Sequence, residues 1–187
     1  RRAAQRYSMQ ITKEKQNKMF EVLKGVLGFS NVMQTPRVEK VVISTGVGKL
    51  KDKKKFELIT DRLSKITGQK PSARPAKKSI ASFKVREGDT SGYQVTLRGA
   101  RMHDFLDKLI HIALPRTRDF RGISPNSIDE MGNLTIGVKE HTIFPETSDE
   151  DLRDVFGMSI TLVTSVEDKE TAKAFLTELG IPFKKEE

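Results

Sequence analysis

Gly46-Val47-Gly48-Lys49 follows a run rich in β-branched residues and has the residue types of a phosphate-binding loop. Such a loop works because glycines let backbone N–H groups close on a phosphate while a lysine neutralises it. The spacing excludes that chemistry. The required earlier glycine and the Ser/Thr after the lysine are replaced by Ile43 and Leu50, and Lys51 stands where a dinucleotide fingerprint needs its third glycine. His103, His111 and His141 match no zinc spacing, and the pattern makes them solvated surface residues. Asp129-Glu130 is an acid pair in loop-like sequence, with no apolar run around it. No Ser or Thr carries a nucleophile signature, and cysteine is absent, which excludes disulfides and thiolate metal sites. The residues point to no enzyme, no metal, no cofactor and no small-molecule substrate.

Cation chemistry is the stronger signal. Residues 68–86 read GQKPSARPAKKSIASFKVR, with six basic residues (Lys70, Arg74, Lys77, Lys78, Lys84, Arg86), two prolines and no acid. Cations along a proline-interrupted loop can each meet a phosphate and release its counterions. A plain solvated loop would look the same. The segment ends in alternation, with Ala81, Phe83 and Val85 against Ser82, Lys84 and Arg86. After EGDTSG, Tyr93, Val95 and Leu97 alternate with Gln94, Thr96 and Arg98. That pattern predicts a β-hairpin with Lys84, Arg86, Gln94, Thr96 and Arg98 on one sheet face. Cations mixed with neutral hydrogen-bonding groups suit the phosphates, 2′-hydroxyls and base edges of RNA. A second basic loop, PRTRDFRG (115–122), holds Phe120, which can either pack or stack on a base. The acidic stretch ETSDEDLRD (146–154) repels RNA; it suits either a basic protein partner or solvent.

Charge distribution sharpens this reading. The 187-residue chain is 36% hydrophobic and 32% charged, with a net charge of +9. Residues 1–125 hold 28 Lys/Arg against 11 Asp/Glu, a net +17, and residues 126–187 hold 6 against 14, a net −8. One part of the chain is built to meet a polyanion. No apolar run approaches the ~20 residues of a membrane span.

The elements that must position these groups follow from periodicity. A helix is predicted over 13–27, capped by Thr12 and stopped by Gly28, then a strand over 38–44. A second helix runs over 53–67 behind Asp52 and ends at Gly68. After the hairpin, Met102, Phe105, Leu106, Leu109, Ile110, Ala113 and Leu114 make one apolar stripe, so a helix runs over 101–114 until Pro115. Strands follow near 134–139 and 157–164. Ser165 with Asp168 resembles a capping box for a last helix over 167–179, which Gly180 ends. The fold class is α+β: a basic N-terminal segment (1–12), then a single domain (13–187) with helices on one face of an antiparallel sheet and the other face open for RNA.

Several motifs occur together in one order: NVMQTPRVEK (31–40), TGVG (45–48), TGQKP (67–71), KKSIASFKVREG (77–88), VTLRG (95–99), PRTRDFRG (115–122), GN (132–133) and IFPE (143–146). Across roughly residues 15–183 the chain resembles the family of bacterial-type large-subunit ribosomal protein five, which binds 5S ribosomal RNA. The resemblance implies a structural part of the large subunit that helps seat 5S RNA in the central protuberance, beside large-subunit ribosomal RNA and other ribosomal proteins. By motif position it implies RNA contacts at Gln69, Phe83, Arg86 and Thr96. The family's usual asparagine is replaced by Ser44, which has shorter reach. Phe83 faces two ways, toward the core by alternation and toward RNA by family role. The resemblance further implies that the loop near 71–82, with Arg74, Lys77 and Lys78, approaches peptidyl-site transfer RNA. The region 140–155, with Glu146, Asp149, Glu150 and Asp151, would reach a small-subunit head protein and form an intersubunit bridge. The implied location is a cytoplasmic bacterial ribosome. An organellar ribosome stays open, because residues 1–13 are basic and carry no acid before Glu14. The contrasting reading is a free basic RNA-binding factor outside the ribosome. A membrane-surface role for the polybasic loop is a distant third.

Overall fold

Apolar-patterned helices and strands close around one core. The structure is a computed structural model and describes residues 11–48, 53–118, 120–147 and 155–184. In chain order the elements are α1 (Ile11–Leu27), β1 (Val38–Gly46), α2 (Lys53–Thr67), β2 (Ser72–Pro75), β3 (Thr90–Leu97), α3 (Gly99–Lys108), β4 (Leu134–Val138), β5 (Met158–Thr164) and α4 (Lys169–Leu179). The strands form one five-stranded sheet in the order β2-β3-β1-β5-β4, with every neighbouring pair antiparallel. Alternation sends Val41, Ile43, Val95, Leu97, Leu134, Ile136, Ile160 and Leu162 to one face. The buried stripes of all four helices join that face in a single cluster, through residues such as Leu23, Leu63, Leu106 and Phe175. Each fully buried side chain of this kind contributes roughly 1.5–3 kcal/mol. The fold is therefore the expected α+β arrangement, with helices on one side of the sheet.

The helix stops are those read from sequence. Gly28, Gly68 and Gly180 have φ of 68°, 67° and 109°, a conformation that only glycine adopts without strain. The starts differ. Thr12 is not a cap but lies inside α1, buried, and its N–H donates to Asp107 Oδ1 of α3 at 2.9 Å. A tertiary carboxylate thus serves the N-terminus of α1, which local sequence could not reveal. Asp52 lies outside the described residues. At α4 the cap is Asp168 itself, whose carboxylate accepts from Thr171 N–H at 3.1 Å; those hydrogen bonds hold its pKa below the ordinary value. Ser165 instead accepts from the Arg37 N–H at 3.1 Å. The predicted 101–114 helix is present, but its last part, Leu109–Ala113, widens into a π turn, and Leu114 N–H reaches Leu109 O at 2.9 Å.

Two histidines are not the surface residues that the pattern suggests. His103 is 9% exposed, packed between α3 and the start of α1. Burial, then the positive charge of Lys13, pushes its pKa down, while Asp107 and Asp104 pull the other way. His141 is fully buried, with its ring stacked on Phe156 at 4.3 Å and Nε2 3.2 Å from Arg62 Nη1 of α2. Both depart from the solvated-surface reading because tertiary neighbours cover them. His111 remains exposed, as expected.

Candidate nucleic-acid interface

The sheet face opposite the helices is built from the alternate residues of the same strands. Register brings Ser72, Gln94, Ser44, Ser159 and Gly137 into one row across β2, β3, β1, β5 and β4. A second row joins Thr96, Val42, Thr161 and Thr135. Ser44 Oγ lies 2.8 Å from Ser159 Oγ, and Thr135 Oγ1 lies 3.1 Å from Thr161 Oγ1. The rows carry hydroxyls, one amide, the apolar Val42 and Gly137, and no charge. Gln69, just past α2, reaches over the edge of this face, with Nε2 3.5 Å from the Thr96 carbonyl oxygen.

Cations flank these two rows: Lys40 of β1 and Arg74 of β2 share the face by alternation, and the others stand around it. The alternation pairs 81–86 with 93–98 as a hairpin, but β3 pairs instead with β2, four exposed residues at the sheet edge. Residues 76–89 leave the sheet as a protrusion. Its root is closed by Ala76 N–H to Asp89 O at 2.8 Å and Gly88 N–H to Ala76 O at 3.1 Å. Higher up, Ile80 and Val85 exchange backbone bonds at 3.0 and 3.3 Å. Between them Ala81–Phe83 makes a single tight turn, and Lys84 closes it in the left-handed region at φ 52°. Asp89 and Ser79 side chains accept from the Arg86 and Glu87 N–H groups at 2.8 and 2.9 Å.

Two expectations therefore fail together. Lys84 and Arg86 do not share the sheet face with Gln94 and Thr96, and Ala81, Phe83 and Val85 do not point into the core. A left-handed residue at 84 breaks the period of two on which that reading rests. Phe83 is instead 74% exposed at the tip, beside the exposed Ile80. Lys77, Lys78, Lys84 and Arg86 are exposed along the protrusion, Arg74 on the edge strand β2, Lys70 just before it, and Arg98 just past β3. Ser44, Gln94, Arg74 and Lys77 line one concavity where the protrusion leaves the sheet. Every candidate cation from Lys70 to Arg98 thus frames the neutral face or its protrusion.

The other candidates separate from this surface. Phe120 packs against the core, which decides the earlier alternative in favour of packing. Glu146 is held by Lys108, whose Nζ lies 2.5 Å from Glu146 Oε1 and 2.6 Å from the Ile66 carbonyl oxygen. Asp149, Glu150 and Asp151 lie outside the described residues. The chain just before them is anchored, since Thr147 Oγ1 donates to the His141 carbonyl at 3.0 Å. Among the described residues, no group of three or more metal-ligating acids or histidines converges, and no helix is long and apolar enough to cross a membrane.

Sequence reasoning missed the β5–β4 half of the open face. Alternation in MSITLVT (158–164) held that signal, because Ser159 and Thr161 fall between the inward Met158, Ile160 and Leu162. It also assigned no role to Asn31–Gln34, a turn locked by reciprocal hydrogen bonds of a capping box, with Val32 and Met33 exposed on it.

Comparison with known proteins agrees with this architecture. Residues 31–86 match the family model described as ribosomal protein L5, and residues 90–183 match the model for the C-terminus of the same ribosomal family. The chain is 52% identical over 159 residues to the large ribosomal subunit protein uL5 of Thermoanaerobacter sp., covering 84% of this chain and 89% of that one. It is 47% identical over 180 residues to the uL5 of Flavobacterium johnsoniae, covering 96% and 98%. With the uL5 of Natranaerobius thermophilus it shares 49% over 162 residues, covering 86% and 90%. Open-faced sheet, framing cations and both family models agree: the chain belongs to the L5 family of ribosomal proteins, in its bacterial type, a family of structural constituents rather than enzymes.

Proposed function

We propose that this chain is a structural constituent of the large ribosomal subunit that binds 5S ribosomal RNA and helps seat it in the central protuberance. The observation that carries this reading is the neutral hydroxyl-and-amide face framed by exposed cations. No acidic residue occurs between Asp61 and Glu87, the stretch that supplies most of that frame. Ser44, Gln69, Gln94 and Thr96 offer donors and acceptors to sugar and base edges. Lys70, Lys84, Arg86 and Arg98 take phosphates of 5S and neighbouring large-subunit RNA. Phe83 offers an exposed aromatic face for stacking.

Arg74, Lys77 and Lys78, on the outer edge and the root of the protrusion, suit a second polyanion, transfer RNA in the peptidyl site. The acidic region from Glu146 to Asp151 suits a basic protein of the small-subunit head, with Glu146 reinforcing its own anchor through Lys108 rather than standing free. The setting is a ribosome in bacterial cytoplasm. Co-sedimentation in high salt tests the reading: the chain is expected to remain with the large subunit. A chain found wholly in the ribosome-free fraction would contradict it and favour a free RNA-binding factor.

A further inference from the structure

Independently of the RNA reading, we propose that the outer edge of β4 takes an extended segment of a partner protein as an added strand, apolar at alternate positions and acidic between them. β4 ends the sheet order, and β5 is its only strand partner among the described residues. On its other side β4 is covered at one point, where Ile128 bridges Leu134 and the Asn133 carbonyl accepts from the Asp129 N–H at 2.9 Å. Backbone groups alternate in direction along a strand. The backbone groups of Thr135 and Gly137 therefore point to the same outer side as the Asn133 carbonyl. Beyond the bridge this leaves the Thr135 C=O and the Gly137 N–H and C=O facing outward, and no described loop bonds to them. Both residues are exposed.

This edge opens onto a groove of about 490 Å³ between β4 and the chain from Leu114 to Ser124. Its floor is apolar, lined by Leu114, Phe120, Ile123, Ile136, Val138 and Ile143. Leu134 and Ile160 in the same sheet are 0% exposed, whereas Ile123, Ile136, Val138 and Ile143 keep 6–8%. Residual exposure of the core thus gathers along the groove. Arg118 and Lys139 stand on its rim against one acid, Glu140. Three features select the occupant. Outward backbone donors and acceptors match an extended chain, as in strand addition at a sheet edge. The floor takes every second side chain of that strand. The cationic rim takes carboxylates from the residues between. RNA would leave the apolar floor unfilled, and a second copy of this chain would set two cationic rims against each other. Sheet edges are commonly guarded by a charge or a proline. Here the middle position is Gly137, with open space where a side chain would stand.

The test uses the full chain and three synthetic peptides. The first alternates valine with glutamate; the second is the same peptide N-methylated along its backbone, so that it cannot donate; the third has lysine in place of glutamate. Saturation with the first peptide is expected to slow hydrogen exchange at the Gly137 amide by about tenfold or more. The second and third should bind roughly tenfold more weakly, the loss that about one net hydrogen bond or charge contact gives. Gly137→Pro removes the outward N–H and leaves the β5 ladder its own donors, a change that edge strands tolerate. It should weaken binding of the first peptide by a similar factor. An unprotected Gly137 amide, or equal binding of the N-methylated peptide, overturns the proposal without needing any variant to fold. Equal binding of the lysine peptide overturns the acidic partner. Protection that grows with protein concentration in the absence of peptide assigns the edge to a second copy, and protection by a 5S transcript but not by the peptide assigns it to RNA; either result overturns the proposal.

Discussion

Residues on the open sheet face and residues on the 76–89 protrusion serve one proposed ligand, yet they are held in place by different means. Ser44, Gln94 and Thr96 alternate with Ile43, Val95 and Leu97, so each outward side chain is fixed by a buried neighbour. The protrusion buries almost nothing. Its shape comes from backbone hydrogen bonds and from two side-chain acceptors, Ser79 and Asp89. The face offers preformed, uncharged contacts at positions that cannot move without disturbing the core. On the protrusion, charge and an aromatic ring can be altered without touching stability. Fit and attraction are thereby assigned to separate parts of one surface.

That contrast can be broken most forcefully from beneath the face. Ile43→Ala is expected to cost about 2–5 kcal/mol of stability, as a fully buried aliphatic truncation does. Because Ser44 rides on it, RNA affinity should fall as well. Urea unfolding beside RNA titration checks this; a large stability loss with intact affinity would show that the face is not positioned by the core. Phe83→Ala should do the opposite. Its unfolding free energy should stay within about 0.5 kcal/mol of wild type. RNA affinity should drop by an order of magnitude, as loss of one stacking platform does. Simultaneous loss of stability would mean that the protrusion is structurally coupled to the domain.

A finer division lies within the cations. Lys77→Ala with Lys78→Ala should leave 5S affinity nearly intact while weakening contact with transfer RNA on assembled ribosomes. Equal losses on both RNAs would show that the surface is divided wrongly. The smallest effect concerns neither region but the joint between α1 and α3. His103 has its pKa held below the ordinary 6.5, so the folded state binds fewer protons than the unfolded chain. Its contribution is present above that value and is lost as pH falls toward the folded pKa. Thermal melts should therefore show declining stability on acidification below about 6.5, and His103→Gln should flatten the decline. An identical decline in the variant would assign it to other groups.

Much of this was legible in the residues. The four helices stand where periodicity places them, because each owns an amphipathic stripe and three end at glycines that take a positive φ. The misreadings share a physical cause. Ser72–Pro75 pairs at an edge with all four residues exposed, so it carries no hydrophobic alternation to announce it. Ala81, Phe83 and Val85 alternate as a strand would, but the left-handed Lys84 between them is decided by a local turn. Ser44, Gln69, Gln94 and Thr96 enter the proposed RNA site through the hairpin pattern and the family motifs. Ser159 and Thr161 join that face only through the β1–β5 register, which sets Ser159 beside Ser44 and Thr161 beside Val42. The burial of His103 and His141 depends on contacts with α1, α2 and Phe156 that no local pattern encodes.

Direct titration of 5S ribosomal RNA with the full chain, carried through a salt series, tests the central claim. The account predicts tight binding whose logarithm falls linearly with log salt. It also predicts at least a tenfold loss in both Arg86→Ala, from the protrusion, and Thr96→Ala, from the face, with only the former reducing the salt slope. Binding that is indifferent to salt, or unchanged by both substitutions, would contradict it.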